Sequence, residues 1–198
     1  MRREGRMERP QDDEYERLLE ELDHAGEILL AQNLQKGEDI LVKVQGDWGG
    51  AFVVTNRRIY VIKHGLWSGR MTGGQCTGFP LEQVASINLN TAMLVGAVEV
   101  LAAGTLVGRG SVSWTGANKK AREAENVVLF RVGGGRSAVF QRAVSIAQNA
   151  VFSVAERRVN EKKDRSSANE IQQLASLRDK GILTEEEFQA KKKQLLGL

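Results

Sequence analysis

The sequence predicts an α+β fold: an N-terminal helix, an antiparallel β-barrel or sandwich closed by a long helix, and a short helical hairpin at the C-terminus. Apolar residues recur at helical spacing before residue 37 and after residue 135. Between these positions the apolar pattern changes to strand-like runs, and 17 of the 21 glycines fall there, which is typical of short strands joined by tight turns. Residues 167–198 carry two helix-start patterns around a glycine, which predicts the hairpin.

The N-terminal region divides into a tail and a helix. Residues 1–11 are polar and show no periodicity, so we expect a disordered tail. Across residues 12–36, apolar side chains follow one helical face, with Asp12 or Asp13 as the cap and Gly26 as a point where the helix can break. We therefore predict a helix over 12–36 that covers an opening or an edge of the following β domain.

Residues 37–158 predict a run of strands followed by a closing helix. Asp47-Trp48-Gly49-Gly50 and Asn56-Arg57 read as turns between the first three strands. The predicted strands are 40–44, 51–55, 58–63, a pair at 75–79 and 84–89, a hairpin at 93–100 and 101–107, a short strand at 112–114, and a last strand at 127–132. After Gly133-Gly134-Gly135 an apolar stripe at helical spacing predicts a helix lying across the sheet.

The C-terminal segment has the local signals of a helical hairpin. Residues 159–166 indicate a charged, helical linker, and Ser167 with Glu170 and Thr184 with Glu187 have capping-box spacing. Gly181 suits the left-handed residue that ends the first helix. A hairpin this small rarely buries enough surface to be stable alone, so we expect its apolar side chains to contact another copy or another protein. These predicted interaction residues are Ile171, Leu174, Leu177, Ile182, Leu183, Phe188, Leu195 and Leu196.

The same residues carry a family resemblance. The pattern Ile171-x-x-Leu174-x-x-Leu177-x-x-x-Gly181-x-Leu183-Thr184-x-x-Glu187-Phe188-x-x-x-Lys192-x-x-Leu195-Leu196 resembles the SHOCT (short C-terminal) family. These bacterial hairpins are appended to varied domains, and the resemblance implies a role in oligomerisation or localisation. It implies no catalytic residue.

The middle of the chain resembles a second family. Gly37-Glu38-Asp39-Ile40-Leu41, Val54-Thr55-Asn56-Arg57-Arg58-Ile59-Tyr60-Val61-Ile62, Phe79-Pro80-Leu81 and the strand 127–132 are similar to bacterial pleckstrin-homology-like (PH-like) domains. The resemblance implies a barrel closed by a helix. Phosphoinositide binding is not implied, because the first turn, Asp47 to Gly50, carries no cation.

Composition and charge favour a cytoplasmic protein. The chain has a single cysteine, Cys76, and neither a signal region nor an apolar run of membrane-spanning length. Residues 1–36 carry 6 basic and 10 acidic side chains, residues 37–165 carry 17 and 10, and residues 166–198 carry 5 and 5. The basic middle segment can attract anionic partners or complement the acidic N-terminal segment within the molecule.

Candidate sites for chemistry are few. His24, His64 and Cys76 have no partners at metal-ligand or nucleophile spacing, so we expect no enzyme, no metal and no cofactor. Gly133-Gly134-Gly135-Arg136-Ser137 can bind an anion at a helix start or form a turn capped by Ser137. We expect Arg57 to face solvent and Arg58 to fix its strand. If a ligand surface exists, Lys63, Trp67 and Arg70 would form it.

The sequence thus favours a non-enzymatic interaction or scaffolding protein, with a PH-like binding module and a hairpin that contacts a second copy or another protein. The alternative is an anionic-ligand binder, for nucleic acid or a membrane surface, acting through the basic middle segment. No sequence motif for specific nucleic-acid recognition supports that alternative.

Overall fold

A computed structural model describes residues 17–65, 73–103 and 124–196. The chain divides into two compact units, Met1–Val151 and Phe152–Leu198. The predicted tail 1–11, the predicted strand 112–114 and most of the predicted segment 101–107 lie outside the described residues.

The first sheet has five strands in the order β1-β2-β3-β4-β5. They are β1 (Leu18–Leu19), β2 (Ile40–Gln45), β3 (Gly50–Thr55), β4 (Arg58–His64) and β5 (Gly74–Pro80). β1 runs parallel to β2, and the other neighbours are antiparallel. All six residues of β3 are buried, as expected for a strand in the middle of a sheet that is covered on both faces.

The turn between β2 and β3 confirms the prediction made from Asp47-Trp48-Gly49-Gly50. The Gly50 amide donates to the Asp47 carbonyl at 3.1 Å. Both central residues have positive φ, 55° at Trp48 and 73° at Gly49. Such a turn matches the twist of the two strands, and a tryptophan in this conformation is held there by its contacts.

The N-terminal helix is shorter than the predicted span of 12–36. Helix α1 is His24–Asn33, and Asp23 is its N-cap, accepting a 2.8 Å hydrogen bond from the Gly26 amide. Leu18 and Leu19, which fit a helical face by spacing, instead extend along β2. α1 covers one face of the first sheet in a core cluster that contains Leu22, Leu30, Ala51, Val53, Tyr60 and Ile62.

The second sheet has three strands, β6 (Val84–Thr91), β7 (Val95–Ala102) and β8 (Val127–Arg131), in that order. The strands predicted at 75–79 and 84–89 are present as β5 and β6, and they belong to different sheets, because β5 pairs with β4 and β6 pairs with β7. The predicted hairpin of 93–100 with 101–107 is wrong, since Val95–Ala102 is one strand. A short 3-10 helix, Leu81–Gln83, follows Pro80 and separates the two sheets along the chain, with Leu81 buried.

Two helices complete the fold: α2 (Arg136–Asp179) and α3 (Glu185–Leu196). Phe140 stacks on Phe130 of β8 with ring centroids 4.0 Å apart, and the buried residues Ala143, Ala147 and Ala150 continue the same stripe. The predicted helix start at Ser167 is wrong, because the chain is already helical there. Ser137 lies inside α2, so its predicted role as N-cap is also wrong.

The α+β class is confirmed, and the closed barrel is not. The described strands form two separate sheets of five and three strands, with a long helix after them. The Asp47 amide, in the β2–β3 turn of the first sheet, donates to the Leu129 carbonyl of β8 at 2.8 Å. None of the helices in the described ranges has the length and apolarity needed to cross a membrane.

Candidate functional site

Helix α2 is ended by a glycine in the left-handed conformation. Gly181 has φ +73°, and its amide donates to the Arg178 carbonyl at 2.8 Å. The Ile182 amide reaches back to the Leu177 carbonyl at 3.0 Å. These bonds satisfy carbonyls that the helix end would leave unpaired, so the helix ends where the sequence predicted.

The start of α3 is a capping box, as predicted. The Thr184 amide donates to Glu187 Oε2 at 3.0 Å, and the Glu187 amide donates to Thr184 Oγ1 at 3.3 Å. The backbone hydrogen bond from Thr184, and then the one from its hydroxyl, lower the pKa of Glu187. The carboxylate therefore stays ionised and keeps α3 capped at neutral pH.

One aromatic ring fills the space between these two helices. Phe188 is only 5% exposed, and the Arg178 guanidinium lies 4.8 Å from the centre of its ring. Arg178 also pairs with Asp179 at 2.7 Å and with Glu185 at 3.3 Å. A single arginine thus covers Phe188 and ties the end of α2 to the start of α3.

The hairpin thus consists of a helix ended by glycine, a short turn, a capping box and a buried phenylalanine. These features can be compared with known families. Residues 169–196 match the SHOCT family, the short C-terminal domain. No curated protein and no solved structure matches the chain.

The predicted interaction residues of the SHOCT hairpin differ in exposure. Leu177 is 37% exposed and Ile182 is 69% exposed. Ile171, Leu174, Leu183 and Leu195 are half-buried, while Phe188 is buried. The side chain of Leu196 lies outside the described part of the structure. The hairpin therefore encloses its phenylalanine and leaves aliphatic side chains at least partly in water.

The predicted ligand surface is only partly described. Trp67 and Arg70 lie outside the described residues, and Lys63 is buried, with 7% exposure. Lys63 lines a narrow cleft with Asp47, Trp48, Gly50, Val127 and Leu129. The cleft has about 10 Å³ of free volume, which is room for roughly one water molecule. Lys63 therefore belongs to the junction between β4 and β8 rather than to an open ligand surface.

A buried polar cluster that the sequence did not reveal lies at the start of the first sheet. The Glu38 side chain is fully buried, and its Oε2 accepts a 2.6 Å hydrogen bond from the Tyr60 hydroxyl. Its Oε1 lies 3.7 Å from Arg58 Nε. Burial and the bond to Glu38 raise the pKa of Tyr60 to about 12. Arg57 is exposed, as predicted, and Arg58 lies beside the buried carboxylate of Glu38.

The histidine and cysteine considered in the sequence analysis, His64 and Cys76, lie in surroundings that do not indicate a reactive site. His64 Nε2 lies 2.8 Å from Asp23 Oδ1, a neighbour that sequence spacing did not show. Burial raises the pKa of Cys76 to about 11, so its thiol is protonated at neutral pH. Within the described residues, no group of three or more His, Cys, Asp or Glu side chains could hold a metal ion.

Proposed function

We propose that this is a non-enzymatic interaction protein: a PH-like module whose SHOCT hairpin associates with the hairpin of a second copy. The observation that carries the proposal is the exposure of large aliphatic and aromatic side chains in the second unit. Leu177 and Ile182 are exposed in the hairpin, and Phe152 and Val159 are 63% and 64% exposed on α2. A backbone hydrogen bond joins Ile182 to Leu177, so these two exposed residues lie close together, and neighbouring exposed apolar side chains of this kind are typical of interaction surfaces.

The charges of the hairpin favour a second copy as the partner. Glu185, Glu186 and Glu187 occupy the first turn of α3, and three consecutive lysines begin at Lys191. Two α3 helices lying antiparallel would place the acidic turn of each beside the lysines of the other. The same distribution also suits the dipole of α3, so the charges support the pairing without requiring it.

The order of elements supports a PH-like reading of the first unit. Four antiparallel strands, β2 to β5, are followed by three more, β6 to β8, and then by a helix whose Phe140 stacks on β8. The buried Glu38–Tyr60–Arg58 cluster joins the two motifs on which that resemblance rests. In this proposal the module presents a binding surface, and the hairpin sets how many copies are present.

Self-association is tested by the mass of the full-length protein in solution. We expect a dimer or larger oligomer by sedimentation velocity, and a monomer after Leu177→Ser with Ile182→Ser. Ile28→Ser is a matched control, because Ile28 is 43% exposed on α1 and belongs to the first unit. At a protein concentration of roughly 100 μM even a weak dimer, with a dissociation constant near that concentration, would be populated. A wild-type protein that is monomeric there would refute the proposal.

The antiparallel arrangement is tested separately by reversing charges. Glu186 and Lys193 are exposed and seven residues apart, hence on the same face of α3. Glu186→Lys alone should weaken the dimer, and the double variant Glu186→Lys with Lys193→Glu should restore it, because both copies then carry the reversed pattern. A double variant weaker than the single one would refute this arrangement.

A further inference from the structure

Among the described residues of the first unit, the most exposed large apolar side chains lie together on one turn. Between β6 and β7, Met93 is 91% exposed and Leu94 is 72% exposed. The Ala92 amide donates to the Val95 carbonyl at 2.9 Å and closes the turn. The Val132 amide donates to the Leu94 carbonyl, also at 2.9 Å, and fixes the turn to the end of β8. The two side chains are therefore presented by an ordered backbone.

A positively charged side chain, Arg131, lies beside this turn and is held by a carboxylate. Arg131 is the cross-strand partner of Val95, the residue that follows Leu94. Its amide and its Nε donate to the two carboxylate oxygens of Asp47, at 2.6 and 2.9 Å. The Arg131 side chain is nevertheless 75% exposed. The carboxylate holds the arginine in place while most of its side chain faces solvent.

An aromatic ring supports the same region from the neighbouring turn. Trp48 is half-buried and packs, together with Val95, against Ala97, Val127 and Leu129. Its φ of 55° is rare for a large side chain, and the packing contacts of the indole hold the backbone in this conformation. Leu94 is thus followed by Val95, which is paired with the exposed Arg131 of β8 and packs on the same cluster as the indole of the β2–β3 turn.

We propose that the Met93–Leu94 turn inserts into the surface of a bilayer containing anionic phospholipid. A protein partner would have to offer a pocket to a projecting tip, whereas the bilayer interface accepts a convex apolar tip without one. Arginine and tryptophan are the side chains that favour the headgroup level, where Arg131 would meet lipid phosphate. The positive charge of residues 37–165 adds long-range attraction to an anionic surface. The inference does not rest on the SHOCT hairpin.

Co-sedimentation of the full-length protein with vesicles tests the proposal. We expect binding to vesicles of phosphatidylcholine and phosphatidylglycerol, and less binding to phosphatidylcholine alone. Met93→Ser with Leu94→Ser should reduce binding about tenfold or more, because both inserted side chains are lost. Arg131→Gln should reduce the difference between the two vesicle types. Ile28→Ser, an exposed apolar residue on α1, should bind as the wild type does.

A local probe separates insertion from general attraction. A solvent-sensitive dye on Met93→Cys, in a Cys76→Ser background, should brighten and shift to the blue with the anionic vesicles, and the same dye on Ile28→Cys should not. Absence of vesicle binding, binding that survives the double serine variant, or equal dye responses at the two positions would each overturn the proposal. Retention of duplex DNA without vesicle binding would overturn it in favour of nucleic acid.

Discussion

Replacing Tyr60 by phenylalanine removes one atom and leaves a buried carboxylate without its shortest hydrogen bond. Glu38 is fully buried, and its Oε2 accepts a 2.6 Å hydrogen bond from the Tyr60 hydroxyl and a longer one, 3.2 Å, from the Gln35 amide. Arg58 at 3.7 Å is beyond hydrogen-bond distance. A hydrogen bond to a charged group contributes about 1.5–3 kcal/mol, and after the substitution Oε2 keeps only the longer bond from Gln35. The ring itself is unchanged, so the packing of the core cluster should be kept.

We therefore expect Tyr60→Phe to lower the free energy of unfolding by about 2–3 kcal/mol, or roughly 5–10 °C in the melting temperature of a unit this size. Urea unfolding followed by circular dichroism measures it. Glu38→Gln and the double variant complete a cycle in which the two single effects should not add. A loss below about 0.5 kcal/mol, which is normal for surface substitutions, would refute the structural role assigned to this bond.

The pH dependence of the free energy of unfolding gives a second test of the role of Tyr60. The pKa of Tyr60 in the folded protein, about 12, exceeds its ordinary value of 10.0 because burial and Glu38 disfavour the phenolate. Since the folded pKa is raised, this contribution to stability is complete below pH 10 and is lost as the pH rises toward about 12. Tyr60→Phe should lack that loss when the two proteins are compared at each pH.

Two further predictions concern single positions. At Gly96 an added Cβ would overlap the Phe130 ring, so Gly96→Ala should cost about 1–3 kcal/mol, measured by thermal unfolding; an unchanged melting temperature would show that the ring can move freely. In the capping box, the lowered pKa of Glu187 means that its contribution is present above the ordinary value of 4.5 and is lost as the pH falls through the lower folded pKa. The Thr184 amide resonance should report this loss in an acid titration, and Glu187→Gln should remove it.

Local signals allowed the hairpin to be predicted in detail. A left-handed glycine, a capping box and a turn each depend on residues within a few positions, and Gly181, Thr184 and Glu187 behave as their types and spacing indicate. The same holds for the β2–β3 turn. Ser167 had the same spacing to Glu170, but the preceding residues have no helix breaker, so the helix continues through it.

The errors arose where a distant partner decided the structure. Leu18 fits a helical face by spacing, yet it lies along the edge of β2, opposite Val42. The Glu38–Tyr60 bond joins residues 22 apart, and the Arg131–Asp47 bond joins residues 84 apart. No pattern of neighbouring residues in the sequence indicates that either pair is in contact. The exposure of Met93 and Leu94 was hidden for the same reason, since an apolar run in sequence does not show which of its residues turn outward.

In these proposals, self-association through the SHOCT hairpin would strengthen membrane binding by the Met93–Leu94 turn, because a dimer carries two such turns. A tip of two side chains and one arginine is weaker than a single lipid chain, which by itself gives only marginal and reversible membrane binding. Joining two modules makes the second contact intramolecular and can raise the overall affinity about 10²- to 10⁴-fold without any new contact, where both tips can reach the surface. A protein with a weak apolar tip on one unit therefore gains most from a self-associating hairpin on the other. The serine variants separate the two effects, because Leu177→Ser with Ile182→Ser removes only the pairing and Met93→Ser with Leu94→Ser removes only the tip.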